Sequence, residues 1–406
     1  MSKPVFLLLG GNKLNRGALS KYQKQGYDVY VIDWNRCPPM TGDRHYCIDV
    51  KDSQSIINAL KDDGSWARVR FGYTSIDLAV PSLAEIHRQL GLHVISAQGL
   101  GNCSSKGRMT SCWQNKGLLN RYSKQFDSFD REIADLVREF SLIIKPDNSS
   151  SSRGITLLDK NSPAPLVQAA FDKAQLEATN HLVVVEEFVD GQEYTVDMLG
   201  DSFGNVSVYG ISRKAHTVNT IQNKIAVKLH YNCESDELQQ KIADYGIRCY
   251  KALGFCSSFG HLEIILKPDG TLSPVEIGAR SSGCIASDLV DIVSGRSYLG
   301  DLEAVYHGGR VPNGLCPQTE MSSVFFFYDL PADRTIAHEC CILDFLSPEI
   351  RSRFFDRSQL KVGFQVPLIT SDNGRIGYEI LEGPKRLLTP SYLRDAETQM
   401  IHKMIQ

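Results

Sequence analysis

One dipeptide constrains this chain more than any other feature. Asp269-Gly270 lies between two strand-like runs, Gly260 to Lys267 and Thr271 to Glu276. Asp-Gly flanked by alternating apolar residues is a strong hairpin signal. A two-residue turn there pairs Pro268 with Thr271 and, counting outward, Glu263 with Glu276. The two glutamates then share one face with Cβ atoms about 4.5–5.5 Å apart. Like charges so placed repel, and something must neutralise them. A divalent cation is the simplest candidate, because Mg2+ commonly takes one or two carboxylates and fills its shell with water and phosphate. Period two puts His261 on the face of Glu263, and Gly278 and Arg280 on the face of Glu276. The bland alternative is an exposed hairpin face with solvated charges.

The rest of the chain has to be a multi-domain scaffold for that hairpin. At 406 residues, about two to three domains are expected. Hydrophobic residues at 42% and charged residues at 22% exclude wholesale disorder. Forty-four basic residues against 47 acids give a net charge of -3 and no global field for nucleic acid. No apolar run approaches the roughly 18 residues of a membrane span. The apolar run Val5 to Leu9 is too short for a signal peptide. Eleven scattered cysteines without a Cys-x-x-Cys fit a cytoplasmic chain with reduced thiols.

Along the chain, Val5–Leu9, 28–33, 46–50 and 93–96 read as strands, and 16–25, 53–61 and 82–90 as helices. Strands alternating with helices imply parallel βαβ units. Residues 100 to 140 look mostly helical. Leu142 to Pro146 is a strand that opens into a loop with four consecutive serines, followed by a short returning strand and a helix near 162–178. Strands recur at 183–189, 193–199, 206–213 and 224–231. A helix follows over 236–253, capped by Ser235, striped by Leu238, Ile242, Tyr245, Cys249 and Ala252, and ended by Gly254. The tail mixes strands (324–327, 377–381) with a final helix.

Lys145 ends its apolar strand at the mouth of the serine loop, where hydroxyls and backbone N–H groups can cradle phosphate. Gly10-Gly11 followed by Asp33 invites a dinucleotide reading, but the third glycine of G-x-G-x-x-G is missing, and a plain strand-to-helix turn is simpler. Arg213 and His216 read as surface residues. No G-x-S-x-G, H-E-x-x-H or G-x-x-x-x-G-K-[ST] occurs, which argues against the commonest hydrolases, zinc proteases and P-loop proteins.

The order of these pieces resembles the ATP-grasp superfamily. A lysine in a helical region, a Lys-Pro strand with a small-residue loop, Glu186-Glu187-Phe188-Val189 with Gly191 and Glu193, and the Glu263…Glu276 hairpin ending in Arg280 follow that family's sequence over about 110 to 285. Within it the chain looks most like the carboxylate–amine ligases of the L-amino acid ligase type. The resemblance implies an α/β N-terminal domain (1–98), a helical linker (99–122), a small lid (123–187) and a larger α+β domain (188–406). It implies ATP and Mg2+ (Mn2+ as a substitute) as cofactors, with Lys116 and Lys145 on the phosphates and Ser151 and Ser152 in the loop that closes over them. Glu186, Glu187, Phe188 and Val189 would line the adenine and Glu193 would hold the ribose. Glu263 and Glu276 would carry the metal, and His261 and Arg280 would face the carboxylate and its acyl phosphate.

Two departures stand out: Gly278 replaces the asparagine of Glu-x-Asn-x-Arg, as in the amino acid ligase branch, and the phosphate loop is serine-rich where glycines are common. The expected activity is ligation of a carboxylate, an amino acid by family analogy, to an amine through an acyl phosphate, releasing ADP and phosphate. A homodimer is the default assembly. The competing readings are an NAD(P)-dependent oxidoreductase using the N-terminal domain and a nucleotide-binding relative without catalysis.

Overall fold

The computed structural model describes residues 2–149, 153–217, 225–283, 286–371 and 374–405. The N-terminal unit comprises β1 (Val5–Leu9), α1 (Arg16–Lys24), β2 (Asp28–Asp33), β3 (Arg44–Cys47), α2 (Ser53–Asp62), β4 (Val69–Thr74) and α3 (Val80–Gln89). Its sheet is parallel, in the order β3-β2-β1-β4. All five residues of β1 are fully buried, as both-sided cover requires of an unbroken apolar run.

Two expectations fail here. The strand anticipated at 46–50 lies earlier, at β3. Residues 93–96 form no strand; His93 N instead donates to the Tyr306 carbonyl at 2.9 Å. The fourth place in the sheet belongs to β4, where Arg70 and Gly72 interrupt the apolar pattern. The turn after β1 is held from within. Asp33 accepts from Gly11 N at 2.7 Å and from both nitrogens of Asn35 at 2.8 Å, so the acid of the dinucleotide reading serves as a clamp on the turn.

Two short helices, α4 (Ala97–Cys103) and α5 (Lys106–Asn115), lead into the small α+β unit expected as the lid. The lid contains β5 (Ser123–Phe126), α6 (Arg131–Leu136), β6 (Leu142–Pro146), β7 (Thr156–Leu158), α7 (Ala164–Glu177) and β8 (Val183–Glu187). Its antiparallel sheet is ordered β5-β8-β6-β7 and packs on α6 and α7 around Phe126, Ile133, Leu142, Ile144 and Phe171.

The remainder is built on β9 (Gln192–Gly200), β10 (Val206–His216), β11 (Ala226–Tyr231), α8 (Asp236–Ala252), β12 (Ser258–Leu266), β13 (Leu272–Gly278), α9 (Ala286–Ser294), α10 (Tyr298–Tyr306), β14 (Gly314–Leu315), β15 (Met321–Tyr328), β16 (Arg351–Asp356), β17 (Ile376–Pro384) and α11 (Pro390–Met404). Its sheet runs β13-β12-β9-β10-β11-β15-β17-β16, with β14 beside β10. The Ser235 side chain caps α8 by accepting from Leu238 N, and Ile242, Tyr245 and Cys249 of its stripe are buried. They cover one face of the sheet through Tyr194, Val196, Ile211, Leu262, Ile264 and Ile277. On the opposite face, α9 and α10 and the N-terminal sheet's Phe6, Phe71 and Tyr73 share one core with Leu229, Tyr231 and Phe259. The N-terminal unit is thereby fixed over that face.

Candidate active site

The hairpin reaches the expected pairing by an unexpected route. Lys267 N donates to Thr271 O at 2.9 Å and Gly270 has φ +81°, so the loop has three residues, Pro268 to Gly270. A three-residue loop ending in a left-handed glycine is the next commonest hairpin connection after two-residue turns. It shifts the register by one, pairing Ile264 with Pro274. A bulge at Val275 then restores Glu263 opposite Glu276 and His261 opposite Gly278.

Neighbouring strands extend this face by the same period of two. In β9, Glu193, Thr195 and Asp197 alternate with Tyr194, Val196 and Met198. The pairing aligns Thr195 with both Ser212 and Glu263, and Asp197 with His261. Lys214 of β10 bridges two rows: its ammonium contacts the Glu193 carboxylate and lies 2.9 Å from Glu263 Oε1. His216 Nε2 is 3.0 Å from Glu193 Oε2. Asp197, fully buried, takes His261 Nδ1 at 2.9 Å and the Tyr231 hydroxyl at 2.7 Å. A buried sheet face that gathers this many ionisable groups is costly as structure alone, which marks it as a functional-site candidate.

The electrostatics separate the two facing glutamates. Burial raises the pKa of Glu263; Lys214 opposes that rise, while Glu193 and Glu276 add to it. Burial acts the same way on Glu276, but Lys106, Lys145 and Arg280 outweigh it and hold that carboxyl low. Lys106 Nζ sits 3.3 Å from Glu276 Oε2 and donates to the Ser149 carbonyl at 2.7 Å. Burial would also raise Glu193, yet Lys214 and His216 hold it far below the carboxylate range.

The lid contributes a buried charge cluster. Glu186 lies 2.9 Å from Lys145 Nζ and 3.1 Å from Arg121 Nη2, and accepts from Ser123 Oγ at 3.1 Å. Burial opposes its ionisation, but the two cations hold its pKa at about 2. Next in line, Asp147 ties the strand end to α5. Its Oδ1 accepts from Ser105 Oγ (2.9 Å) and Gly107 N (2.8 Å), its Oδ2 from Asn180 Nδ2 (2.7 Å), and its carbonyl from Lys106 N (3.0 Å). This clamp holds Lys106 and Lys145 in one neighbourhood.

Arg280 extends from the end of β13. It donates through Nη2 to Asp77 Oδ2 at 2.7 Å and through Nη1 to Ser281 O at 2.9 Å, while its Nε is buried without a hydrogen-bond partner among the described residues. Among the described residues no three His, Cys, Asp or Glu side chains are gathered to hold a metal. The protein therefore offers the facing pair Glu263 and Glu276, the sparse donor set that Mg2+ accepts when phosphate and water complete its shell.

Most of the residues singled out from the sequence come together: Lys145, Glu186, Glu193, His261, Glu263, Glu276 and Arg280. Lys116 does not. It is exposed at the far end of α5, and Lys106 at the near end takes the place beside Glu276. The Glu186 side chain is spent on Lys145 and Arg121, so it is not free to line a base. Glu187 accepts from Tyr122 N at 3.3 Å, Phe188 N donates to Ser141 O at 2.8 Å, and Val189 is buried. Ser151 and Ser152 lie outside the described residues. His216 joins the site instead of the surface, while Arg213 turns to the opposite face and pairs with Glu234. Sequence reasoning missed Asp77, Lys106, Arg121, Asp197 and Lys214. The polar–apolar alternation of β9 and β10 carried a signal for Asp197 and Lys214; none distinguished Lys106 from Lys116.

The family model of the ATP-grasp domain matches residues 138–288. The D-alanine–D-alanine ligase of Cupriavidus taiwanensis is 32% identical over 171 residues, which is 41% of this chain and 50% of that protein. The chain thus spans about half the length of the curated relatives it matches. The crystal structure of an L-amino acid ligase from Bacillus licheniformis superimposes with a TM-score of 0.73 at 16% identity, covering 98% of both chains. The biotin carboxylase domain of Hydrogenobacter thermophilus 2-oxoglutarate carboxylase, solved with MgADP, gives 0.67 at 14% identity over 95% of this chain and 87% of that one. At such identities these structures speak for the fold alone, and that fold agrees with the match of residues 138–288 to the ATP-grasp domain.

Proposed function

We propose that the chain is an ATP-dependent carboxylate–amine ligase that forms an amide, of peptide type, and releases ADP and phosphate. One observation carries the reading. Glu263 and Glu276 face each other on one sheet face, half-buried at its open edge, and Lys106, Lys145 and Arg280 act together on Glu276. That is a surface for polyanion chemistry, in which positioning and charge stabilisation supply most of the catalysis. The names of the relatives, ligases acting on small carboxylates and amines, support the same class.

The γ-phosphoryl group of ATP moves to a carboxylate oxygen of the first substrate, giving an acyl phosphate and ADP. The amine nitrogen then attacks the carbonyl carbon, the C–O bond to phosphate breaks, and the nitrogen gives up its proton. Lys106 and Lys145 hold phosphoryl oxygens, and Arg280 faces the acyl phosphate. Glu193 and the backbone of the strand end at 186–189 would meet the nucleoside, the Glu186 side chain being held by Lys145 and Arg121. Glu263 and Glu276 would hold Mg2+, which when bound neutralises phosphoryl charge. The lid keeps water from the acyl phosphate. The ten free cysteines among the described residues support a reducing, cytoplasmic setting, and no helix among them is long and apolar enough to cross a membrane.

The test is phosphate release from MgATP with the twenty amino acids offered in pairwise pools, and products read by mass spectrometry. Release that depends on two amino acids, with a product one water lighter than their sum, is expected. Glu276→Gln is expected to abolish it while leaving the melting temperature unchanged. No release from any pool, or near-normal turnover in that variant, would overturn the reading.

A further inference from the structure

Arg280 is held in place by the N-terminal unit. Asp77 heads the short 3-10 turn Asp77–Ala79 that precedes α3, and its Oδ2 lies 2.7 Å from Arg280 Nη2. Its side chain is 43% exposed, so the contact is not a buried packing pair, yet it reaches more than two hundred residues along the chain to the end of β13. The space for it is made by Gly278. A Cβ there would lie 2.9 Å from Asp77 Oδ1, 3.2 Å from Arg280 Cζ and 3.4 Å from Arg280 Cγ. Gly278 shows no left-handed φ, so the backbone does not demand glycine; a side chain there would instead push the Asp77 carboxylate and the Arg280 guanidinium aside. On the other side, Ser281 O accepts from Nη1 at 2.9 Å. With both terminal nitrogens engaged, the guanidinium keeps a buried Nε–H that has no acceptor among the described residues. Each terminal nitrogen carries a second N–H, and those are the donors left for an incoming acceptor oxygen.

We propose that Asp77 is a positioning residue for Arg280: together with Gly278 and Ser281 O it fixes the guanidinium so that the remaining N–H groups of its terminal nitrogens receive an oxygen of the carboxylate substrate or its acyl phosphate. The proposal rests on the ligase reading. It gives the N-terminal unit a direct part in substrate recognition, and it gives Gly278 a part in it, since a larger side chain there would displace Asp77. Nucleotide contacts lie with Lys106, Lys145 and the lid, so ATP binding does not depend on Asp77.

The experiment uses the full chain with MgATP, pooled amino acids as carboxylates and hydroxylamine as the amine, reading hydroxamate by its ferric complex and ATP affinity by calorimetry. Asp77→Ala is expected to lower kcat/KM for the carboxylate by about 10²-fold, the cost of misplacing a positioning group by about 1 Å, with ATP affinity unchanged. Gly278→Ala, whose methyl displaces Asp77, is expected to do the same. The double variant should be no worse than either single one, because both remove one contact. Asp77→Asn keeps an acceptor oxygen and should recover most of the loss, which also covers the case that Asp77→Ala folds poorly. Wild-type hydroxamate formation with an unaffected Asp77→Ala, weakened ATP binding in the variants, or losses that multiply in the double variant would each overturn this proposal alone. A wild-type chain that forms no hydroxamate from any pool would overturn the ligase reading and this proposal with it.

Discussion

Exchanging Lys106 and Lys116 for methionine, one at a time, separates the two ends of α5. Lys106 Nζ lies 3.3 Å from Glu276 Oε2 and 2.7 Å from the Ser149 carbonyl. Two unit charges about 4 Å apart at an effective dielectric near 20 interact by about 4 kcal/mol. Part of that attraction is already spent on Glu276, and a methionine there leaves Glu276 with more charge for a cation to neutralise, which offsets some of the loss. A net cost of about 2 kcal/mol in MgATP binding remains, or about 30-fold in affinity. Lys116 sits at the C-terminal end of the helix, about 15 Å further along its axis, exposed to water. At that range solvent and salt screen its charge to a small fraction of 1 kcal/mol. Calorimetric titration with MgATP at two salt concentrations is the assay. Lys106→Met should bind about 30-fold more weakly, and Lys116→Met should match the wild type at both concentrations. Equal losses in the two variants, or an effect confined to Lys116→Met, would refute the placement of the phosphate-facing lysine.

Other consequences concern stability. Glu186 has a folded pKa of about 2, below its unfolded value, so the stability it contributes is present above the unfolded pKa and is lost as pH falls through the folded one; about 3 kcal/mol should vanish between about pH 4.5 and pH 2. Lid melting followed against pH, with Glu186→Gln flattening that window, checks it. His230 is fully buried as the neutral ring, with its pKa pushed down to about 4, so it too withdraws stability as pH falls from about 6.5 towards 4, and His230→Gln should reduce the slope of the melting temperature in that range. Gly10→Ala puts a side chain at φ +102° and a Cβ 2.4 Å from Ile76 Cδ1; it should cost about 1–3 kcal/mol in urea unfolding while leaving ATP affinity intact.

What the sequence made legible is what period two can reach. The alternation of β12 and β13 put His261 with Glu263 and Gly278 with Glu276, and the same rule extended to β9 and β10 adds Asp197 and Lys214 to that face. Even the mistaken two-residue turn led to the right pairing, because the extra loop residue and the bulge at Val275 cancel. That cancellation is itself informative: a register slip of one turns every side chain to the other face, so a sheet that must keep two carboxylates opposed tolerates the longer loop only with a compensating bulge. Contacts between units leave no such periodic trace. Lys106 and Lys116 flank the same helix, and the Asp147 clamp, with Asn180 on one oxygen and Gly107 on the other, sets the Lys106 end beside the strand that carries Lys145. Asp77 reaches Arg280 across an interface that no spacing in the chain encodes. The strand positions of the site follow from local chemistry, while its cations and their aim follow from how three units close on one sheet face. Variants at Asp147 and Asp77 should therefore alter catalysis more than their distance from the facing glutamates suggests.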